Sequence, residues 1–238
     1  MPNYLKICIL FLKIGLFTSK TSKPNILLIL VDDLGFYDVS YHNKNKGPLT
    51  PNIDALSKTG KILTNYYIQP ICTPTRAALM TGRYPIRDGL QSEVILAGQR
   101  KALPNTPATE TFAERLNTCG GFSSHCVGKW HLGHSSRKQW PTGRGFKTFS
   151  GYLLGVEDYY NRMTCFGNWG KPDPFRPGPC GLDFRENERR AATDEGNAGV
   201  YSSVLYTERV NSVIGGHDFE DESLFIYYPM QSVHYRKV

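Results

Sequence analysis

A short segment around Cys72 carries residue types that could perform nucleophilic chemistry on an anion. Residues 69–83 read Gln-Pro-Ile-Cys-Thr-Pro-Thr-Arg-Ala-Ala-Leu-Met-Thr-Gly-Arg. Proline suits the first turn of a helix, so Pro74 predicts that Cys72 lies just before that turn and faces the helix N-terminus. The unpaired N–H groups and partial positive charge of such a terminus suit a tetrahedral oxyanion, and Arg76 adds a guanidinium one turn on. The alternative interpretation is a structural cysteine at the start of a helix.

Two adjacent carboxylates, Asp32 and Asp33, follow a continuous aliphatic run at 26–31. A run without polar alternation predicts a central strand of a parallel sheet, covered on both faces. The aspartates then lie at the carboxyl end of the strand, where open α/β sheets bind their ligands. Because neighbouring carboxylates repel each other, this pair indicates a hard divalent cation held by oxygen ligands. A helix cap or a solvated turn is the alternative.

Basic side chains follow a second predicted strand, at 122–127, in the sequence Gly-Lys-Trp-His-Leu-Gly at 128–133. Lys129 and His131 are two residues apart, so an extended backbone would point both to the same side. His234 follows a third apolar run, which we predict to be a buried strand. A surface lysine and a capped histidine are the alternatives for either residue taken singly.

The remaining patterns predict the elements that position these side chains. Residues 50–60 predict a short capped helix. The β-favouring residues 61–69 predict a strand that delivers Cys72 to the site. Helical spacing predicts two more helices, at 109–117 and 201–213. Strands that alternate with helices predict an α/β fold, with a mostly parallel central sheet flanked by helices.

Composition limits the classes of partner. The chain has 238 residues, 40 % of them hydrophobic, which suffices for one large α/β domain or two small ones. Its net charge is +7, but no lysine or arginine run resembles a nucleic-acid patch, so no nucleic-acid partner is expected. Residues 1–22, with a short apolar stretch behind Lys6, predict a secretory signal peptide and lead-in. That stretch is too short to span a membrane, and no later run approaches a span.

Five cysteines lie beyond the predicted signal peptide, and an odd count in a secreted chain indicates one unpaired thiol. If Cys72 is the modified or unpaired one, four remain, which is consistent with an oxidising compartment. Cys165 and Cys180 bracket a loop rich in glycine and proline, which favours a disulfide between them. Cys119 and Cys126 are predicted to pair across the turn at 120–121.

Several of these motifs together resemble one family, the type I sulfatases. The residues at 72–76 match the Cys-x-Pro-x-Arg core of that family, and the residues at 79–83 continue its longer signature. The segments at 25–35 and 128–133 are similar to two further family motifs. Loops at 143–160 and 180–185 resemble the arylsulfatase B branch, the N-acetylgalactosamine-4-sulfatases. The resemblance extends over residues 24 to 234, which correspond to the N-terminal part of a sulfatase.

This resemblance implies the sulfatase fold, which is alkaline-phosphatase-like, and two unusual groups. In the family the cysteine is oxidised to formylglycine by a formylglycine-generating enzyme, and the resulting aldehyde hydrate is the nucleophile. Asp32, Asp33 and the modified Cys72 would then bind Ca²⁺. Cys72 would act in catalysis together with Arg76 and His131, and the residues that bind the substrate would be Lys129 and His234.

The resemblance also implies a substrate class and a destination. We expect a sulfated carbohydrate, such as a glycosaminoglycan sugar, or an aryl sulfate ester. We expect the secretory pathway, with a lysosomal or extracellular destination.

Family members use a later Asp-Asn pair on calcium and a later lysine on sulfate, which this sequence does not reach. Residues 23–238 are therefore expected to form a partial, C-terminally truncated sulfatase catalytic domain, and a catalytically inactive isoform or fragment is the alternative. A phosphodiesterase or phosphatase of the wider alkaline-phosphatase superfamily is the rival enzyme class. Such relatives place serine or threonine where this chain has Cys72, which argues against that class.

Overall fold

The computed structural model describes residues 23–43, 46–165, 180–191 and 199–235, so the signal peptide and lead-in expected at 1–22 lie outside the described residues. The helices are α1 (Ser40–Asn43), α2 (Pro51–Thr59), α3 (Cys72–Thr81), α4 (Phe112–Thr118) and α5 (Ser202–Gly215). The strands are β1 (Ile26–Val31), β2 (Phe122–Lys129), β3 (Thr148–Tyr152), β4 (Met163–Cys165), β5 (Cys180–Leu182), β6 (Arg185–Glu186), β7 (Arg189–Arg190) and β8 (Ser223–Met230).

Six strands form the central sheet, in the order β1-β8-β2-β3-β6-β7. The first four are parallel to their neighbours, while β6 and β7 extend the sheet antiparallel. The predicted α/β class with a mostly parallel sheet is confirmed. Since parallel strands end at one edge of a sheet, the residues after β1, β8 and β2 converge. The pairing of β1 with β8 joins distant parts of the chain, for example Leu27 with Ile226.

The position of β1 differs from the prediction of a central strand covered on both faces. Among the described residues β1 pairs with β8 alone and forms one edge of the sheet. Ile26, Leu28 and Leu30 pack on the core, whereas Leu27 and Ile29 are each 48 % exposed. An aliphatic run shows that both faces of a strand are apolar, but it does not show how many strands lie beside it.

Apolar side chains cover both faces of the sheet because successive residues of a strand point to opposite sides. Phe225 and Tyr227 of β8 face one core, and Ile226 between them faces the other. The first core packs under α3 and α4, with Ala77, Met80, Ala113, Trp130 and Phe146 among its buried members. The second packs under α5, with Leu205, Tyr206 and Val210.

One glycine allows a close approach between two strands at the ligand edge. Gly128 in β2 has a φ of 118°, which L-residues rarely adopt. A Cβ atom at this position would lie 2.1 Å from the carbonyl oxygen of Pro229 in β8. Gly128 immediately precedes Lys129, so it also sets the backbone path that leads into the predicted site.

We expect Gly128→Ala to lower the free energy of unfolding by about 2–4 kcal/mol, because it adds backbone strain and forces β2 and β8 apart. Urea denaturation monitored by circular dichroism measures the loss. Gly181→Ala is the matched control, since no atom lies within 4 Å of the added Cβ there. The control should change stability by less than about 0.5 kcal/mol. Equal losses in the two variants would contradict the close-approach explanation.

The cysteines follow one of the two predicted pairings. A disulfide joins Cys165 and Cys180 across the small β4–β5 sheet, as predicted. The predicted pair Cys119–Cys126 is wrong, because both thiols are free. Cys126 is fully buried in the core on one side of β2, whereas Cys119 is exposed just after α4. Although the two cysteines are close in sequence, the thiol of Cys126 points into the core and the thiol of Cys119 lies at the surface, so they do not meet.

The other predicted elements are confirmed with one exception. The helices predicted at 50–60, 109–117 and 201–213 correspond to α2, α4 and α5. The strand predicted at 61–69 is wrong, because these residues form turns and irregular backbone with most of their side chains exposed. In the described part of the chain, no helix combines the length and the apolarity that a membrane crossing requires.

Candidate active site

Asp32 lies at the centre of a buried charge cluster, immediately after β1. Its Oδ2 atom accepts a hydrogen bond from Lys129 Nζ at 2.5 Å and lies 3.3 Å from Arg76 Nη2. Lys129 and Arg76 are at most 1 % exposed, and Arg76 Nη1 donates to the Lys129 carbonyl at 2.8 Å. Burial by itself would raise the pKa of Asp32, but the two cations outweigh it and hold that pKa below its ordinary value. Asp32 is therefore an anion at neutral pH, paired with two buried cations.

Cys72 is the first residue of α3, with Ile71 as the N-cap. It thus lies within the first turn of the helix, whereas the sequence predicted a position just before that turn. The thiol is half-buried, with Sγ 3.2 Å from Lys129 Nζ and 3.8 Å from Asp32 Oδ1. The Cys72 side chain therefore lies at a helix N-terminus and beside a lysine ammonium group. Both positive features would suit a nucleophile that acts on an anion.

Thr73 fixes the start of α3 and had no signal in the sequence. Its hydroxyl donates to the carbonyl of His131 at 3.1 Å and accepts from the amide of Ile95 at 3.1 Å. Thr75 adds a hydrogen bond to the carbonyl of Gln69 at 2.8 Å. The bond between Thr73 and His131 joins the residue after Cys72 to the Gly-Lys-Trp-His-Leu-Gly segment, which also contains Lys129.

His131 is buried and packs closely against a glycine. Its Nε2 atom lies 2.8 Å from the carbonyl oxygen of Ile95, and its ring leaves no room for a side chain at Gly155. Burial, reinforced by nearby Lys129, holds the pKa of His131 well below its ordinary value, so the imidazole is neutral at pH 7. If Nε2 donates to the Ile95 carbonyl, Nδ1 keeps its lone pair. Within the described residues Nδ1 has no hydrogen-bond partner.

His234 reaches the cluster from the turn that follows β8. Its Nε2 atom lies 3.6 Å from Asp33 Oδ2, and its Nδ1 atom lies 3.1 Å from the Tyr235 carbonyl. Asp33 differs from its neighbour Asp32, because its side chain is 55 % exposed and its backbone adopts a φ of 59°. The two aspartates therefore face different surroundings, one among buried cations and the other towards solvent.

Tyr159 holds the turn that carries His234. Its hydroxyl lies 2.7 Å from the His234 carbonyl. Gln231, the first residue of the turn, donates to the Glu157 carbonyl at 2.6 Å and accepts from Ser202 at 2.5 Å. This network joins the loop at 157–159, the start of α5 and the turn, and the only sequence signal was its cluster of polar and aromatic residues.

Within the part of the chain that the structure describes, one group of side chains could hold a metal ion. Asp32, Cys72 and His234 each place one ligand atom within 4.8 Å of the other two. Both cations bind Oδ2 of Asp32, and Oδ1 faces the thiol of Cys72. Oδ1 of Asp32 and the carboxylate of Asp33 are oxygen ligands of the kind that a hard cation such as Ca²⁺ prefers. They could supply part of its coordination shell. The thiol and imidazole are softer ligands than calcium prefers.

The structure thus brings Cys72, Asp32, Lys129, Arg76 and His234 together, as the sequence predicted. Asp33 lies at the rim of the cluster. His131 approaches α3 through its backbone, and its ring faces Ile95. The catalytic, substrate-binding and metal-binding roles of these residues stay predictions.

Comparisons with known proteins agree with this geometry. The family model described as Sulfatase matches residues 24–237. Arylsulfatase J of Mus musculus is 44 % identical over 217 residues, which are 91 % of this chain and 33 % of that protein. N-acetylgalactosamine-6-sulfatase of Mus musculus is 28 % identical over 223 residues, which are 89 % of this chain and 40 % of that protein.

Among solved structures, the crystal structure of Ps i-CgsB superposes with a TM-score of 0.71 at 30 % identity. The match covers 90 % of this chain and 46 % of that one. The chain thus spans about a third of the length of the arylsulfatase it matches. The family model covers nearly every described residue, including the whole charge cluster, so this chain belongs to the sulfatase family.

Proposed function

We propose that residues 23–238 form part of the catalytic domain of a sulfuric ester hydrolase, which cleaves sulfate esters of sugars or aryl alcohols. The observation that carries the proposal is the position of Cys72. Its Sγ atom lies at the N-terminus of α3, 3.2 Å from Lys129 Nζ and beside Asp32. Nucleophile, cation and carboxylate therefore meet at one point of the sheet edge.

A sulfate ester spreads its negative charge over several oxygens, so its cleavage needs several positive groups at once. Lys129 supplies an ammonium group next to position 72, and α3 adds the partial charge of its N-terminus. Arg76 lies beneath Asp32 and donates to the Lys129 backbone. We therefore infer that Arg76 positions Asp32 and Lys129 and does not itself contact sulfate.

Asp32 and Asp33 would hold Ca²⁺ together with an oxygen at position 72, once the formylglycine-generating enzyme has converted Cys72. Calcium would supply positive charge for the sulfate oxygens, and formylglycine would supply an oxygen nucleophile. Replacement of sulfur by oxygen also makes the set of ligands harder, which suits calcium.

The two histidines are suited to proton transfer and to substrate binding. His131 is neutral at pH 7, and its Nδ1 atom has no partner within the described residues, so the imidazole is chemically able to accept a proton. The Tyr159 hydroxyl holds the backbone carbonyl of His234, which places the ring with Nε2 beside Asp33, where a bound substrate can contact it.

Two observations support the substrate class and the compartment. One relative is named N-acetylgalactosamine-6-sulfatase and another arylsulfatase J, which supports a sulfated carbohydrate or an aryl sulfate as substrate. The disulfide between Cys165 and Cys180 supports an oxidising compartment, hence the secretory pathway with a lysosomal or extracellular destination.

We expect the chain, expressed in a secretory host, to carry formylglycine at position 72. Conversion of the thiol to the aldehyde lowers the mass of the tryptic peptide 62–76 by about 18 Da, because the side chain loses H₂S and gains oxygen. Mass spectrometry of that peptide measures the change. The peptide 116–129, which contains Cys119 and Cys126, is the internal control and should keep its mass. An unconverted Cys72, in a host that converts a full-length sulfatase, would contradict catalysis by this chain.

A further inference from the structure

The group formed by Asp32, Cys72 and His234 has donors that do not match calcium while Cys72 is still a thiol. A thiolate, an imidazole and a carboxylate are the ligands that zinc prefers, and three of them with a water complete a tetrahedral zinc site. Calcium takes oxygen ligands and gains little from sulfur or nitrogen. The side chain at position 72 therefore decides which metal the group prefers.

The geometry of the group is compatible with a single small ion. The three ligand atoms lie within 4.8 Å of one another, and Cys72 Sγ lies 3.8 Å from Asp32 Oδ1. Lys129 and Arg76 both contact Oδ2 of Asp32, so Oδ1 is the atom that faces the thiol. An ion between Sγ and Oδ1 would take the place of the thiol proton.

The surroundings of His234 favour Nε2 as the ligand atom. Nδ1 lies 3.1 Å from the Tyr235 carbonyl, so a proton on Nδ1 has an acceptor, and Nε2 then carries the lone pair. A hydrogen bond of this kind fixes the orientation and the tautomer of a metal-binding histidine. Tyr159 adds a second constraint through the backbone carbonyl of His234.

The charges around the group tolerate a divalent ion. Asp32 and Asp33 carry two negative charges, and Lys129 and Arg76 carry two positive charges, so these four groups balance. Zn²⁺ adds two positive charges, and loss of the Cys72 proton to solvent adds one negative charge. The net gain is a single positive charge, next to the half-exposed carboxylate of Asp33.

We propose that the unconverted chain binds one Zn²⁺ through Asp32 Oδ1, Cys72 Sγ and His234 Nε2. Binding releases the thiol proton and leaves one position for water. Conversion of Cys72 to formylglycine removes the sulfur ligand, so the same place then prefers a hard cation. Zinc binding at this place is therefore expected only for a chain in which Cys72 has not been converted to formylglycine.

Cobalt titration tests the proposal, with Co²⁺ as a spectroscopic substitute for zinc. The chain is produced with Cys72 as a thiol, as checked by mass. We expect a near-ultraviolet thiolate-to-cobalt band that saturates at one equivalent, disappears on addition of Zn²⁺ and persists in millimolar Ca²⁺. Cys72→Ala should abolish the band and weaken zinc binding at least about a hundredfold. His234→Ala should weaken zinc binding at least about tenfold.

Cys119→Ala is the matched control, because it removes an exposed free thiol outside the group and should keep the band unchanged. A band that survives Cys72→Ala, or no band in the thiol-containing chain, would overturn the zinc site. The converted chain should show no band. The readout does not depend on turnover, so failure of the zinc site and failure of the proposed hydrolase activity are distinguishable.

Discussion

Cys72→Ala is expected to lower the hydrolysis rate of an aryl sulfate by at least about a thousandfold relative to the converted wild-type chain. The variant keeps the binding groups but has no side chain that can become the oxygen nucleophile, and loss of a nucleophile removes most of the rate enhancement. Because alanine also fits the first turn of a helix, α3 should keep its structure. Release of the chromogenic alcohol under saturating substrate measures the effect.

Cys119→Ala provides the control for this experiment, since it removes another thiol without touching the charge cluster. Its rate should stay within about twofold of wild type, as expected for a surface substitution. A Cys72→Ala variant that kept the wild-type rate would show that Cys72 is not the nucleophile. A wild-type rate equal to that of buffer would contradict hydrolase activity of this chain.

The second large effect is on stability, and it concerns Asp32. Asp32→Asn keeps the shape of the side chain but removes the charge that balances Lys129 and Arg76, both fully buried. Removal of one partner from a buried ion pair typically costs about 3–5 kcal/mol, because the remaining charge stays uncompensated. For a chain of this size the loss corresponds to a fall in Tm of roughly 6–20 °C. Differential scanning fluorimetry or urea denaturation measures it.

Asp33→Asn is the matched control for Asp32→Asn, because it makes the same chemical change one residue later on a half-exposed side chain. It should alter the free energy of unfolding by less than about 1 kcal/mol. Similar losses in the two variants would contradict the buried cluster as the cause.

The pH dependence of stability gives a second readout of the same cluster. Asp32 has a lowered pKa in the folded chain, so the unfolded chain binds its proton more readily. Its contribution is therefore complete above the ordinary aspartate value, near pH 4, and is lost as the pH falls through the lower folded value. Below about pH 4 the wild-type chain should lose more stability than Asp32→Asn, whose amide does not titrate.

The convergence of the site could be predicted because each motif follows a strand. Asp32 follows β1, Lys129 ends β2 and His234 follows β8, and these three strands are neighbours in a parallel arrangement. Residue types and local patterns indicated the strands, and the shared edge then follows from parallel topology. The order β1-β8-β2 could not be predicted in this way, because it depends on pairing between distant segments.

The incorrect predictions have a common physical cause. The strand predicted at 61–69 has β-favouring residues, but a strand forms only where a partner offers backbone hydrogen bonds. Cys119 and Cys126 are close enough in sequence to form a disulfide, but the side chain of Cys126 is packed in the hydrophobic core. Thr73 and Tyr159 were missed because each acts through hydrogen bonds to backbone atoms far away in sequence. Local pattern contains no information about such contacts.

The pairing of β1 with β8 has a consequence for the order of events during synthesis. The turn that carries His234 is made 162 residues after Cys72, the difference between their positions in the chain. At about 5–20 residues per second, roughly 8–30 s pass between the emergence of the two residues. For most of that interval β8 is incomplete, so β1 lacks the one strand that pairs with it among the described residues, and the cluster around Asp32 lacks His234. Cys72 is then displayed on an unfinished chain, and a modifying enzyme that recognises an extended peptide has those seconds in which to act.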